Sequence, residues 1–226
     1  MNIYFLVEGR RTEKKVYPRW LLYLVPELEE VKFAFEVNNN NFYTFSGNGF
    51  PSLLDNHLRN SIDDVNDIGR FDYLVICLDS DGDTVEQRKF EVAKFINDNN
   101  LKLNTSELII IVQNKCIETW FLGNTKAYTR QPQSIELRKF IKFYNVQEND
   151  PEEMTKMEDF STDAQFHEAY LSEMLSEKNI RYTKKNPTIV TEKHYLDELI
   201  KRTRSTHHIN TFKDFLDFCI KINEEI

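Results

Sequence analysis

The fold is decided by one stretch of the chain, Tyr73-Leu74-Val75-Ile76-Cys77-Leu78 followed at once by Asp79-Ser80-Asp81-Gly82-Asp83-Thr84. The first six residues form a continuous apolar run, which predicts a strand buried on both faces. The next six are mostly polar and acidic, so the strand ends there, and either Asp83 or Thr84 can cap a following helix. Residues 85–97 predict that helix, with Phe90, Val92, Ala93 and Phe95 on its apolar side.

Similar units lie on either side of this stretch. Residues 2–7 predict a buried strand, and apolar residues at helical spacing after Thr12 predict a helix that closes near Pro26. Further strands are predicted at 42–45 and 108–112, a strand or a loop at 33–37, and helices at 51–58 and 116–122. Strands that alternate with helices indicate an α/β fold with a parallel sheet that helices cover on both faces.

The pattern changes after Asn124, where only helical segments follow. These segments are residues 134–143, 164–176, 192–202 and 211–222. We therefore expect two parts: an α/β domain at residues 1–125 and a helical C-terminal extension at residues 126–226.

Composition limits the function classes. The chain has 226 residues, of which 40% are hydrophobic, so it is too apolar to be disordered. Its net charge of -8 is opposite in sign to that of a typical nonspecific duplex binder. Residues 147–179 carry ten acids against two bases, a net of -8, which leaves the remainder neutral and two locally basic stretches, 1–20 and 181–204, available for phosphates. The acidic stretch is either a solvated linker or a surface that repels nucleic acid until a partner covers it.

Localisation follows from what the sequence lacks. No apolar run approaches the roughly 20 residues that span a bilayer, and the N-terminus shows no signal-peptide pattern. Cys77, Cys116 and Cys219 are odd in number and widely spaced, so neither a disulfide framework nor a zinc knuckle is expected. We expect a cytoplasmic protein without membrane partners.

Three acidic features stand at or just past predicted strand ends: Glu8, the Asp79/Asp81/Asp83 group and Glu118. Ligands of parallel sheets bind beyond the carboxyl ends of the strands. In an extended exit from a strand, carboxylates at i and i+2 can reach one divalent ion, and hard oxygen ligands suit Mg²⁺ or Mn²⁺. Two such metals about 4 Å apart can activate water and neutralise the leaving oxygen of a phosphodiester.

Two alternatives use the same acids. An EF-hand that begins at Asp79 is excluded, because its sixth and twelfth positions hold Thr84 and Phe90. A haloacid dehalogenase-like phosphatase stays open, since residues 78–84 resemble its strand-end motif with Asp79 as nucleophile and Asp81 as acid/base. That motif normally opens the fold, whereas a strand and helix precede it here, and no later glycine-aspartate motif follows.

The acids taken together resemble a known family. Glu8-Gly9 with Thr12-Glu13 and Tyr17, then Asp79-Ser80-Asp81, then Cys116-Ile117-Glu118-Thr119-Trp120 stand in the order of the motifs of Toprim domains, closest to RloB-like proteins and related to OLD-type nucleases. The resemblance covers about the first 125 residues. It implies a Toprim-like fold, an Mg²⁺- or Mn²⁺-dependent nuclease acting on DNA or RNA, a role in bacterial anti-phage defence and an ATPase partner.

The resemblance also implies residue roles. Glu8 would be a metal ligand or acid/base, Asp79 and Asp81 metal ligands, and Glu118 would complete the site. Many OLD-type nucleases carry an aspartate where this chain has Thr12, so either Glu13 takes that role or the mechanism uses one metal. A noncatalytic subunit with a vestigial metal site and partner-binding helices is the other function class that the sequence allows.

Basic residues near these motifs can contact nucleic acid. Arg10 and Arg11 belong to a charge run beside Glu8, which is either a solvated face or a phosphate contact. Lys184 and Lys185 would reach the scissile phosphate, as a late lysine does in the nucleases that the chain resembles.

Overall fold

The fold is built on a five-stranded, all-parallel sheet in the computed structural model, which describes residues 1–226. The strands are β1 (Asn2–Val7), β2 (Glu29–Glu30), β3 (Asn41–Ser46), β4 (Tyr73–Asp79) and β5 (Glu107–Gln113), in the order β2-β3-β1-β4-β5. All six residues of β1 and the first six of β4 are buried, as expected for a sheet covered on both faces. The predicted α/β class with a parallel sheet flanked by helices is confirmed.

Nine α-helices accompany the sheet. They are α1 (Glu13–Leu24), α2 (Arg59–Ile68), α3 (Val85–Asp98), α4 (Ile117–Phe121), α5 (Ile135–Phe143), α6 (Asp163–Ser176), α7 (Thr188–Thr191), α8 (Lys193–Thr206) and α9 (Asn210–Glu225). None of the nine has both the length and the apolar character that crossing a bilayer requires. The predicted helix at 51–58 corresponds to a π-helical segment, Leu53–Leu58, that continues directly into α2.

The structure decides one open alternative and corrects one expectation on α3. Of the two capping residues that the sequence allows, Thr84 caps α3, because its side chain accepts the N–H of Gln87 at 3.1 Å. Phe90 is 68% exposed and does not lie on the buried side of α3, which Arg88 and Val92 provide instead. The reason is that helical spacing places Phe90 two residues from both Arg88 and Val92, on another face.

The segment at 33–37 forms a short 3₁₀ turn, Ala34–Glu36, so the loop alternative holds and β3 is the strand. The rings of Phe33 and Phe35 are both exposed and stack on each other. Their apolar character is therefore not a sign of burial in a sheet.

Contacts within the backbone divide the chain into two compact units. The first contains Met1–Leu78, Thr84–Val112 and Asp217–Ile226, and the second contains Asp79–Asp83 and Gln113–Leu216. This division differs from the expected boundary after residue 125. The end of α9 belongs to the first unit because the ring of Phe218 packs edge-to-face on Phe5 of β1 and Tyr73 of β4.

The second unit has its own aromatic core. Phe140 of α5 packs on Phe166 and Tyr170 of α6, and Trp120 of α4 packs on Phe212 of α9. These large rings are fully buried, so the short helix α4 is anchored by apolar burial on the residues that flank Glu118.

Candidate functional site

The chain reverses its direction of travel across the sheet between β1 and β4. From β1 it passes through α1 to β2 and β3 on one side, and from β4 it passes through α3 to β5 on the other. In open parallel sheets, ligands bind beyond the carboxyl ends of the strands at such a point. Glu8 is the first residue after β1, and Asp79 is the last residue of β4.

The carboxylate of Glu8 is positioned by the loop that follows β3. The backbone N–H of Phe50 donates to its Oε1 at 3.2 Å, and the N–H of Gly49 donates to its backbone carbonyl at 3.0 Å. Gly49 has a φ of +90°, which side-chain-bearing residues rarely adopt, so this loop geometry favours glycine. Glu8 is half-buried, with its side chain oriented by the backbone.

Glu13 is a second acid in the first unit that the predicted site set leaves out. It opens α1 and is buried, and a Cβ built on Gly9 would collide with its carboxylate. Burial raises the pKa of the Cys77 thiol in β4, and the charge of Glu13 acts in the same direction. The charge of Glu13 is therefore felt at Cys77, in the carboxyl-terminal half of β4. The Thr-Glu pair of the first motif was the sequence signal for it.

The turn after β4 does not continue the strand. The N–H of Ser80 donates to the carbonyl of Gln113, and that of Asp81 donates to the carbonyl of Lys115, both at 2.9 Å. Asp81 has a φ of +52°, so the chain turns there instead of leaving in the extended form that the i, i+2 argument assumed. Asp79 is half-buried and Asp81 is exposed.

Glu118 is a buried carboxylate, with 1% of its surface exposed, and not a solvated helix residue. The hydroxyl of Tyr182 donates to its Oε1 at 2.8 Å. Nζ of Lys184 lies 3.9 Å from its Oε2, which has no hydrogen-bond partner in the structure. Burying a charge in this way is unfavourable unless a partner compensates it, and Tyr182 and Lys184 are the partners that Glu118 has.

Lys184 connects three acids of the second unit. Its Nζ also lies 3.6 Å from Oε2 of Glu168. Burial acts to lower the pKa of Lys184, but the charges of Glu118 and Glu168, with a further contribution from Asp79, raise it above its ordinary value. The pKa of the Cys116 thiol is likewise raised, by burial first and then by the charges of Glu118 and Asp79. Asp79, Glu118 and Lys184 therefore form one electrostatic group.

A buried, neutral histidine contacts α4, the helix that carries Glu118. Oγ1 of Thr119 lies 2.7 Å from Nδ1 of His167, whose Nε2 lies 3.0 Å from the carbonyl of Met154. Burial lowers the pKa of His167 to about 4. Because His167 is fully buried and both its ring nitrogens are engaged, it holds α4 in place and is not a candidate catalytic base.

The other residues that the sequence predicts to contact nucleic acid lie on the surface. Arg10 and Arg11 are exposed in the turn between β1 and α1, and Lys185 is exposed next to Lys184. Their positions leave both the solvated face and the phosphate contact open as roles.

The positions of the donor groups limit where a metal ion could bind. No group of three or more His, Cys, Asp or Glu side chains that could hold a metal ion is present. The donor chemistry nevertheless suits Mg²⁺ or Mn²⁺, because Asp79 and Glu118 supply hard oxygens and Oε2 of Glu118 is an orphaned buried acceptor. The four-carboxylate metal site of Glu8, Asp79, Asp81 and Glu118 stays a prediction.

Comparison of the chain with models of protein families finds no match. Comparisons with curated proteins and with solved structures also find no significant match.

Proposed function

We propose that this chain is a divalent-metal-dependent nuclease that hydrolyses phosphodiester bonds of DNA or RNA. The observation that supports it most is the buried carboxylate of Glu118, held by Tyr182 and facing Lys184, whose charge also interacts with Asp79. Acids and a cation in one group suit a phosphodiester, because the reaction needs metal-binding oxygens beside positive charge for the phosphate.

In this proposal the acidic residues bind the metal ion and the basic residues bind the phosphate. Asp79 and Glu118 would hold the cation, which supplies Lewis-acid activation of water and charge neutralisation at the scissile phosphate, and Glu8 and Asp81 are the further ligands that the sequence predicts. Because its pKa is raised, Lys184 keeps its proton and serves as a cation for a non-bridging phosphate oxygen, not as a general base. Tyr182 fixes the orientation of Glu118, and Arg10, Arg11 and Lys185 would contact the flanking backbone of the strand.

A cleavage assay tests the proposal. Purified protein is incubated with supercoiled plasmid and with structured RNA, in Mg²⁺, in Mn²⁺ and with chelator. We expect cleavage of at least one polymer that chelator abolishes, and a loss of about 100-fold or more in Asp79→Asn, Glu118→Gln and Glu8→Gln. Asp83→Asn is the matched control, because it removes an exposed acid from the same turn that is not among the proposed ligands.

The same assay separates the other function classes. Release of phosphate from small phosphomonoesters, with both polymers intact, would favour the phosphatase alternative with Asp79 as nucleophile. Absence of cleavage together with no heat on titration of Mn²⁺ would favour a noncatalytic subunit.

The expected ATPase partner and defence role rest on the family resemblance. They are tested by repeating the assay with the product of a neighbouring gene. Cleavage that appears only in the mixture would support a partner-dependent nuclease. The exposed acids of the stretch at 147–179 are where we expect that partner to act; they are Glu148, Glu153, Glu158 and Asp159.

A further inference from the structure

A second, basic pocket lies in the second unit, and it shares no residue with the Glu118 group. It is a cavity of about 400 Å³ lined by Arg130, Gln131, Pro132, Gln133, Arg138 and Ile141. This volume falls within the roughly 300–1,000 Å³ that small-molecule sites occupy. Two arginines and no carboxylate line it, which is unusual in a chain with a net charge of -8.

The lining residues are held in place before any ligand arrives. The carboxylate of Glu177 accepts the N–H of Gln133 at 3.0 Å and that of Ser134 at 2.6 Å. Ser134 in turn caps α5 by accepting the N–H of Leu137 and donates its hydroxyl to Glu173. The loop wall of the pocket is therefore tied to both α5 and α6.

The two arginines give the pocket a positive charge, and the nearest acid described, Glu177, is bound to backbone N–H groups. The backbone N–H groups of Gln133 and Ser134 lower the pKa of the Glu177 carboxyl, and the charge of Arg138 acts in the same direction. Arg138 makes a long 3.4 Å hydrogen bond to the carbonyl of Gln133, which leaves most of the five donors of its guanidinium for a ligand. Glu177 is thus engaged with backbone donors, and the two guanidinium groups give the lining its charge.

The lining chemistry points to one ligand class. Guanidinium groups match the oxygens of phosphate in a bidentate fork, which lysine does not. Gln131 and Gln133 each offer an amide donor and an acceptor, as the edge of a nucleobase requires. Pro132 is buried and Ile141 is half-buried, so they provide an apolar surface for a flat ring. Inorganic phosphate would use the arginines and leave the rest of the pocket unused.

We propose that this pocket binds a nucleoside phosphate, either as a free nucleotide or as one unit of a single-stranded nucleic acid. The polymer form of this proposal rests on the proposed nuclease function, and the free-nucleotide form does not. In the polymer form the pocket holds a strand at a second place on the second unit.

Binding is measured without any need for cleavage. The Glu118→Gln protein is titrated with AMP by calorimetry and with fluorescein-labelled single-stranded RNA and DNA by anisotropy. Arg130→Ala/Arg138→Ala is compared with Lys139→Ala/Lys142→Ala, which removes the same charge from exposed positions outside the pocket on α5, the helix that carries Arg138. Arg138→Lys keeps the charge and removes the fork. Thermal unfolding by circular dichroism checks that each variant folds.

We expect the double arginine variant to lose about tenfold in affinity per arginine, the lysine control to change little, and Arg138→Lys to fall between them. Loss for AMP assigns the pocket to a free nucleotide, and loss for the oligonucleotides alone assigns it to a strand. Binding of neither probe, or equal binding by the double arginine variant and the lysine control, overturns the proposal. A protein that binds through the arginines but cleaves nothing keeps the pocket and removes the nuclease function. Cleavage together with undiminished binding in the double arginine variant keeps the nuclease function and removes the pocket proposal.

Discussion

The hydroxyl of Tyr182 donates a 2.8 Å hydrogen bond to Oε1 of Glu118, although 64 residues separate them along the chain. Both side chains are buried, with 2% of Tyr182 and 1% of Glu118 exposed. Tyr182 lies in the segment between α6 and α7, two residues before Lys184, so the same short segment supplies both the hydrogen bond and the ammonium group that face this carboxylate. The position of Glu118 therefore depends on a part of the chain far from the motif that contains it.

We expect Tyr182→Phe to test this dependence. Loss of one hydrogen bond to a buried charged acceptor should lower the free energy of unfolding by about 1–3 kcal/mol, because the carboxylate oxygen is left unsatisfied. Any nuclease activity should fall with it, through kcat more than KM if Tyr182 only positions Glu118. Urea denaturation measures the stability change. Tyr23→Phe is the control, because the ring of Tyr23 lies against Arg19 instead.

Removal of Lys184 should destabilise the protein through Glu118. In Lys184→Met the carboxylate stays buried without its cation, which we expect to cost about 1–2 kcal/mol; the lysine side chain is 42% exposed, so solvent screens part of the pair. A second change, Glu118→Gln, should recover part of this loss. A double-mutant cycle in urea measures the coupling. Additive effects would contradict the pairing.

Glu152 should make stability depend on pH. Burial raises its pKa from 4.5 to about 7, against the lowering effect of the hydrogen bonds from Thr211. An acid with a raised pKa binds more protons when folded, so its contribution is full below pH 4.5 and is lost as the pH rises through 7. Glu152→Gln should remove about 3 kcal/mol of this pH dependence, whereas the exposed Glu153→Gln should not. Urea titrations from pH 4.5 to 8 measure it. If the free energy of unfolding of the two variants depended on pH in the same way, the raised pKa of Glu152 would be contradicted.

The ring of His167 should titrate near pH 4 instead of its ordinary 6.5. Burial disfavours its charged form, so the unfolded chain takes up the proton first and stability falls as the pH drops from 6.5 towards 4. NMR of the imidazole signals follows the titration, and His167→Gln identifies the signal. A midpoint near 6.5 would show that the ring is accessible to water and that its contact with Thr119 opens.

Several elements of the fold were predictable because their signals are local. The apolar runs of β1, β4 and β5 specify strands, of which β1 and β4 are buried, and the spacing around α1 and α3 specifies helices. Phe90, Phe33 and Phe35 show the limit of that logic. Apolar character alone did not reveal that these rings face solvent, because exposure depends on what packs against each face.

The candidate site was predictable only in part. Glu8 and Asp79 at strand ends follow from a parallel sheet, whose carboxyl ends share one edge. The turn at Asp81 does not, because a left-handed φ is set by backbone hydrogen bonds to Lys115, which lies beyond the next strand. Tyr182 was also missed as a site residue, since it gains its role from a contact with Glu118, 64 residues away along the chain. Glu13 was left out of the predicted site although the Thr-Glu pair of the first motif pointed to it, because only the structure shows that its carboxylate is buried.

By itself, the sequence determined the α/β class, most of its strands and helices without the short β2 and α7, and the residue types available for phosphate chemistry, because periodicity and composition act over short distances. Only the tertiary structure decided that Glu118 is buried against Tyr182 and Lys184, that the end of α9 packs on the sheet and that Arg130 and Arg138 line one cavity. Each of these depends on which distant residues exclude water from a given side chain, and that is a property of the packed chain and not of any segment.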